Sequence, residues 1–386
     1  MPSLKNYPPS HKATADSAKK LRKIAILAGD GIGPEVMTEA KKVLAAVSEK
    51  FKIEFELKES LVGGAAIDSF GEALPAETLK ICEESDAILF GSVGGEKWNS
   101  LPPEKRPEVG ALLPLRKHFD LFANIRPAGV LPMLKNSSPL KPSIIGDGFA
   151  FTVVRELTGD VYFGEKKSEK DFASDLMIYH RNEVQRIARV AFELARNSRQ
   201  KVTNVDKANV LATSQFWRSV VEEIHEKEFP EIELDHLYID NATMQILVRP
   251  QNFDIILAGN LFGDILSDEA AQISGSIGLQ ASASINGINS RDISGIKRMG
   301  LFEPMGGSAP NIAGKGIANP IAQIRCVGMM LEMSFEEGDA TSAIENAILK
   351  TLENGLRTAD IFTGSAGEQK VSTAEMGDSI VKNILA

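Results

Sequence analysis

Along this chain, short apolar runs alternate with longer stretches whose apolar positions return every three or four residues. Residues 23–28 read as a strand. The run Gly29-Asp30-Gly31-Ile32-Gly33-Pro34-Glu35 then turns into a helix on which Val36, Ala40, Val43, Leu44 and Val47 form one buried face. Pro34 suits a first helical position, where the missing N–H is not needed. Strands at 53–57, 87–91 and 121–125 alternate with helical stretches such as 76–84, a pattern that calls for a parallel sheet covered by helices.

A second series begins near Arg126-Pro127. Strands at 151–154, 202–205, 234–239 and 253–258 are interleaved with a helix carrying Val184, Ile187, Ala188, Ala191, Phe192 and Ala195, and with another over 214–229. The run Val161-Tyr162-Phe163-Gly164, followed by charged residues to Lys170, suits an exposed hairpin arm. Beyond residue 320 the pattern is mostly helical. Residues 286–298, rich in Gly, Ser and Asn, form the clearest interior loop.

At 386 residues the chain exceeds one ordinary core, so two domains or a large core with insertions are expected. A formal net charge of −9 and the absence of long basic runs argue against a nucleic-acid surface. Cys82 and Cys326, far apart and outside any paired motif, imply neither a disulfide framework nor a thiolate zinc site. No apolar stretch reaches the roughly 18 residues of a membrane span. Residues 1–21 read as a flexible polar leader, and the chain as cytoplasmic.

Candidate chemistry concentrates at strand ends. Asp264 and Asp268 share one helix face if the helix opens after strand 253–258, which suits a hard divalent cation. Two exposed aspartates would equally solvate a helix start. Asp240 terminates another strand, as a third metal ligand or as a helix N-cap. Lys207 ends the strand at 202–205 and is a candidate general base, although an isolated lysine is more often a solvated surface group. Arg116, Arg126 and Arg155 could clamp a di- or tricarboxylate if they converge; singly each would be a surface ion pair.

Other chemistries lose support. Pro34 stands where a dinucleotide fingerprint needs glycine, and Ala309 and Gly316 break a phosphate-loop match around Gly314-Lys315. The five histidines lack ligand spacing, and no Gly-x-Ser-x-Gly elbow occurs.

Seven motifs in register resemble the metal-dependent β-decarboxylating dehydrogenases of the isocitrate/isopropylmalate type. They are Gly-Asp-Gly-Ile-Gly-Pro-Glu (29–35), Asn-Ile-Arg-Pro (124–127), Val-Arg-Glu-Leu-Thr-Gly (154–159), Asp-Lys-Ala-Asn-Val-Leu (206–211), Asp-Asn-Ala-Thr-Met-Gln (240–245), Asn-Leu-Phe-Gly-Asp-Ile-Leu-Ser-Asp (260–268) and Gly-Ser-Ala-Pro followed by Ala-Gly-Lys (307–315). The resemblance implies a two-domain α/β fold that is not a Rossmann fold, with a β-arm in its second domain. Residues 22–121 plus 275–386 would form the cofactor-side domain, and 122–274 the dimerisation and metal/substrate domain.

It further implies a homodimer in which Lys207 and Asp240 reach the partner's site, with no nucleic-acid or membrane partner. Arg116, Arg126 and Arg155, with Glu108, Leu112 and Leu113, would bind a small dicarboxylate. Asp240, Asp264 and Asp268 would hold Mg²⁺ or Mn²⁺. Lys207 and Tyr162 would move protons. Asn209, Glu303, Gly307, Ser308, Ala309, Pro310, Asn311, Ile312 and Asn319 would bind NAD. Asn311 stands where NAD-preferring members carry aspartate, so NAD preference should persist with weaker discrimination against NADP.

The apolar Leu112 and Leu113 favour an isopropyl group over a third carboxylate, pointing to the isopropylmalate branch and leucine biosynthesis. A relative acting on isocitrate, homoisocitrate or tartrate is the alternative. A non-catalytic regulatory subunit is disfavoured because the lysine, tyrosine and aspartates are all present.

Overall fold

The computed structural model describes residues 21–288 and 298–386, so the leader and most of the 286–298 loop lie outside the described residues. The chain opens with β1 (Arg22–Gly29), α1 (Gly33–Phe51), β2 (Phe55–Glu59), α2 (Gly64–Phe70), α3 (Ala76–Glu84), β3 (Ala87–Ser92), α4 (Leu113–His118) and β4 (Ala123–Val130). It continues with α5 (Pro142–Ile145), β5 (Phe149–Glu156), β6 (Lys166–Ser168), β7 (Ala173–Asp175), α6 (Arg181–Arg196), β8 (Lys201–Asp206), α7 (Ala212–Glu228), β9 (Glu233–Tyr238), α8 (Ile239–Val248), β10 (Ile255–Ala258) and α9 (Asn260–Ile273). The last part comprises β11 (Ala281–Ile285), β12 (Gly300–Pro304), α10 (Ile321–Met333), α11 (Gly338–Glu353), β13 (Leu356–Arg357), β14 (Gln369–Lys370) and α12 (Thr373–Leu385).

One ten-stranded sheet runs in the order β2-β1-β3-β12-β11-β4-β5-β10-β8-β9. Its first five strands come from residues 22–92 and 281–304, its last five from 123–258. The expected parallel sheet holds at both flanks and fails in the middle. There β11 runs antiparallel to both β12 and β4, and β4 antiparallel to β5. These antiparallel pairs stitch the two halves together, and Asn124 reinforces the seam by donating to Ser282 Oγ at 2.8 Å and Ser284 Oγ at 3.1 Å.

Helices cover both faces, so the central strands are buried on both sides, including their polar positions Asn124, Arg126, Arg155, Ser282 and Ser284. The short antiparallel pair β6 and β7 is solvent-exposed and forms the arm.

The 29–35 turn is closed by one bond of its own, from Gly33 N to the Asp30 carbonyl at 2.9 Å, and is otherwise held from outside. The buried Asp30 carboxylate accepts from Gly64 N, Ala65 N and Gly94 N at 2.7–2.8 Å, tying the turn to the start of α2 and to the loop after β3. Gly31 has φ +58°, and an added Cβ would lie 2.0 Å from the Ser308 carbonyl oxygen. That carbonyl accepts from Ile32 N at 2.8 Å, so the turn and the 307–312 segment pack backbone to backbone. Pro34 is the second residue of α1, one later than its expected place.

Candidate active site

The three arginines converge. Arg126 on β4 and Arg155 on β5 stand on neighbouring strands whose register pairs Asn124 with Arg155 and Arg126 with Val153. Arg116 comes in from α4, and all three are buried. Burial pushes the Arg126 guanidinium down to about 10, with the Arg155 and Arg116 charges adding to the effect and Asp264 opposing it. Arg155 is lowered in the same sense, by burial first and Arg116 in addition, against the pull of Asp264. Three cations crowded out of water favour a bound polyanion, and the Nε atoms of Arg116 and Arg126 have no hydrogen-bond acceptor among the described residues.

Each guanidinium is aimed by a specific neighbour. Arg116 Nη2 donates to Glu303 Oε1 at 2.9 Å. Arg126 Nη1 donates to Ser267 Oγ at 2.7 Å and lies 3.3 Å from Asp268 Oδ1 and 3.6 Å from Asp264 Oδ1. Arg155 donates through Nε and Nη2 to Asn260 Oδ1 at 2.9 and 2.7 Å, and through Nη1 to Asp264 Oδ1.

A helix does follow the apolar strand, as the pattern predicts, but the aspartates do not open it: Asp264 and Asp268 stand in its second and third turns. Helix α9 begins at Asn260, where Tyr179 OH accepts from Asn260 N and Asp160 Oδ2 accepts from Leu261 N at 2.7 and 3.1 Å. Asp264 and Asp268 then face the arginines one turn apart. Tyr162 OH donates to Asp264 Oδ2 at 2.7 Å. Burial and this bond raise the phenol above its ordinary range. Burial likewise raises the Asp268 carboxyl, with the Asp264 charge adding and Arg126 opposing.

Lys207 and Asp240 sit apart from this cluster and pair with each other through Lys207 Nζ and Asp240 Oδ1. Asp240 lies in the first turn of α8, whose N-cap is Tyr238, so the N-cap alternative for Asp240 is not what forms. Among the described residues no three His, Cys, Asp or Glu side chains within one chain are close enough to hold a metal ion. Asp264 and Asp268 nonetheless present two hard oxygen donors on one face, a set that fits Mg²⁺ or Mn²⁺ once further oxygens join it.

A cleft of about 500 Å³ lies beside the arginines, lined by Ile32, Ser276, Ile277, Gly306, Gly307, Ala309, Ile312, Asn319 and Asp360 among others. It shares Gly91, Ser92, Pro304, Gly306 and Gly307 with a second cavity of about 160 Å³ lined by Glu108, Leu112, Arg116, Arg126 and Glu303. The two form one continuous groove of the size that small-molecule sites occupy. A Cβ on Gly307 would meet nothing within 4 Å, so its backbone is open to a ligand there.

The groove lining includes Gly307, Ala309, Ile312 and Asn319 of the nucleotide candidates, with Glu303 at the arginine end. Ser308 is buried behind it, contacting the 29–35 turn; Pro310 and Asn311 are exposed beyond it. Asn209 lies exposed beside Lys207, remote in the fold from that lining. Leu112 lines the arginine cavity, whereas Leu113 opens α4 outside the lining. Glu108 to Leu112 forms a π-helical turn running directly into α4, a device that turns Glu108, Leu112 and Arg116 toward one cavity.

Sequence reasoning missed Asn260, Ser267, Ser276 and Asp360. Asn260 and Ser267 lie within the motif that carries the aspartates, and their proximity to Asp264 and Asp268 was the available signal. Asp360 accepts from Ser276 Oγ and from Asn319 Nδ2, a long-range contact with no local mark.

The sequence matches the isocitrate/isopropylmalate dehydrogenase family over residues 23–380. It is 57% identical to a 3-isopropylmalate dehydrogenase of Desulfotalea psychrophila over 366 residues, covering 94% of this chain and 99% of that one. It is 55% identical to the 3-isopropylmalate dehydrogenase of Haemophilus influenzae over the same shares of both chains. Among solved structures, an isocitrate dehydrogenase from Methylococcus capsulatus superposes with a TM-score of 0.80 at 33% identity, covering 95% of this chain and all of that one. A β-decarboxylating dehydrogenase from Thermococcus kodakarensis gives 0.73 at 33% identity, covering 94% and 96%.

Fold, buried arginine cluster and groove define an oxidoreductase acting on a small acid. The chain belongs to the isocitrate/isopropylmalate dehydrogenase family.

Proposed function

We infer that this enzyme oxidises 3-isopropylmalate at C2 and decarboxylates it to 4-methyl-2-oxopentanoate and CO₂ with reduction of NAD, a step of leucine biosynthesis. One observation carries the substrate assignment: the convergence of Arg116, Arg126 and Leu112 on a single cavity. Two guanidiniums there, with Arg155 beside them, satisfy the two carboxylates of a malate core. The Leu112 side chain offers an alkyl substituent an apolar wall, against which a third carboxylate would stand desolvated and unpaired.

The chain's own groups then divide the work. Arg116, Arg126 and Arg155 bind and orient the substrate, their aim fixed by Glu303, Ser267 and Asn260. Tyr162, kept protonated by its surroundings, holds a proton toward the reacting carbons, where the decarboxylated intermediate needs one at C3. Lys207 takes the C2 hydroxyl proton, reaching the partner's site together with Asp240. Asp264 and Asp268, joined by the partner subunit's Asp240, would hold Mg²⁺ or Mn²⁺. The 307–312 segment and Asn319 would hold NAD. When bound, the metal supplies Lewis acidity and the nicotinamide accepts hydride.

The homodimer is supported by large apolar side chains left exposed on α8 and α9 and beside Lys207. Met244, Leu247 and Val248 on α8, Ile265 on α9 and Val210 beside Lys207 are all exposed, Val210 to 66%. A cytoplasmic location fits a biosynthetic enzyme, and among the described residues no helix is long and apolar enough to cross a membrane.

Turnover of 3-isopropylmalate, isocitrate, homoisocitrate and tartrate with Mg²⁺ and NAD tests the assignment. The expected result is a kcat/KM for isopropylmalate at least about 100-fold above the others. Preference for any other acid would overturn it.

A further inference from the structure

Beneath Lys207 and Asp240 lies a buried polar chain that none of the substrate, metal or cofactor roles uses. Asn204 on β8 is fully buried and stands in register with His236 on β9. Its Nδ2 donates to Asp206 Oδ2 at 2.8 Å and lies 3.1 Å from His236 Nδ1, while its Oδ1 accepts from Trp217 Nε1 at 2.7 Å. Every hydrogen-bonding position of this amide except one lone pair is therefore filled from a different element.

The Asp206 carboxylate in turn takes two bonds from Arg218, at 2.9 and 2.7 Å, and one from Ala208 N at 2.9 Å. The Lys207 peptide between them is held on both sides. Its N–H donates to Ser214 Oγ at 3.2 Å, and its carbonyl accepts from Val210 N and Leu211 N at 3.0 Å.

Because Asn204 Nδ2 is a donor, His236 Nδ1 must accept, which places the ring proton on Nε2, 3.4 Å from Glu222 Oε1. The ring is thus read as a neutral imidazole with one required tautomer. Burial and the neighbouring Arg218 charge lower its pKa, against the opposing charges of Glu222 and Asp206 on the facing elements and of Asp235 on its own strand. Strand β8 ends at Asp206, one residue before Lys207, and β9 ends at Tyr238, two before Asp240. The contact between Asn204 and His236 adds a side-chain link to the backbone ladder that pairs the two strand ends launching both groups.

We propose that Asn204 and His236 are positioning residues that brace the paired strand ends from which Lys207 and Asp240 emerge, and so hold both groups in place as one unit. This rests on the assignment of Lys207 as the base in isopropylmalate oxidation. A donor at His236 Nδ1 would face the Asn204 amide N–H, forcing that amide to turn and to release Trp217 and Asp206 together. An apolar residue at 236 leaves the amide N–H unpaired, so that only the backbone ladder pairing Asp206 with Tyr238 joins the two strand ends.

The test measures kcat, KM for isopropylmalate, the pH profile of kcat and Tm for wild type, His236→Leu, His236→Asn and Trp217→Phe. His236→Leu should lower kcat about tenfold or more with KM within twofold, since the arginines lie elsewhere, and should move the acidic limb of the profile by half a unit or more. His236→Asn, whose amide oxygen can accept from Asn204, should recover kcat to within about threefold. Trp217→Phe keeps an aromatic ring while removing the Nε1 donor and should lower kcat two- to fivefold in the same sense, which keeps the test decisive if His236→Leu does not fold.

A lowered Tm with unchanged kcat and pH profile would overturn the proposal, as would a kcat loss that His236→Asn fails to recover. Retained activity in Lys207→Met would instead overturn the assignment of the base, whichever way the His236 variants behave.

Discussion

Gly263 and Arg155 are in direct contact: a Cβ added at Gly263 would lie 2.7 Å from Arg155 Cγ and 2.8 Å from its Cβ. The glycine between the apolar opening of α9 and Asp264 is therefore a packing requirement, because it lets a buried arginine pass along the helix to reach Asn260 and Asp264. Gly263→Ala should displace the guanidinium, lowering kcat/KM by about 10- to 100-fold, since misplacement by about 1 Å can cost that much. The stability cost should be about 1–3 kcal/mol. Steady-state kinetics beside a urea titration checks both, and wild-type kinetics in the variant would show that the contact is idle.

Under the proposed function each site takes Lys207 and Asp240, which pair with each other within one chain, from the partner subunit. Mixing Lys207→Met with Asp264→Asn subunits should restore about a quarter of wild-type activity: half the dimers are mixed, and each mixed dimer carries one intact site. A mixture no more active than its separate components would mean that each site is built from one chain.

Away from the site, α10 and α11 are joined by a buried ion pair. Arg325 meets Glu345 at 2.6 and 3.2 Å, and also donates to the Leu279 carbonyl at 3.0 Å. Glu345→Ala leaves a buried guanidinium without its partner, and should cost about 3–5 kcal/mol in chemical denaturation. Arg325→Leu combined with Glu345→Leu should cost less than that single change, as no charge is then stranded. A cost below about 1 kcal/mol for Glu345→Ala would show that solvent reaches the pair.

Glu332 on α10 supplies a pH dependence. Its carboxyl is pushed up to about 7, mainly by burial, with Asp339 and Glu336 adding and a bond from Thr341 opposing. The folded protein thus binds a proton that the unfolded chain releases near 4.5. The stability this confers is full below that value and is lost as pH rises through about 7. The Tm of wild type should fall across this window more steeply than that of Glu332→Gln; parallel curves would remove the group from the account.

Local pattern gave the elements where burial is periodic. Helix α3 forms over the residues marked for it, and β8 and α7 start within two residues of their expected positions. It did not give β11, because Ala-Ser-Ala-Ser-Ile is small and half polar, and its serines are buried only by pairing with Asn124 from a strand far away in sequence. The antiparallel centre of the sheet was hidden for the same reason. Within the site, the aspartates and arginines were legible as types at strand and helix ends. Their convergence depended on the register between β4 and β5, and the aiming groups Ser267 and Glu303 are read only once distant elements meet. The π-helical turn at 108–112 carries no composition signal at all.

The most direct test of the whole account is NADH formation from 3-isopropylmalate and NAD with Mg²⁺, run with and without a chelator and repeated for Lys207→Met. Robust NADH production matched by CO₂ release, abolished by the chelator and reduced at least about 1,000-fold in the variant, is the predicted result. Undiminished turnover in Lys207→Met, or turnover indifferent to the chelator, would contradict it.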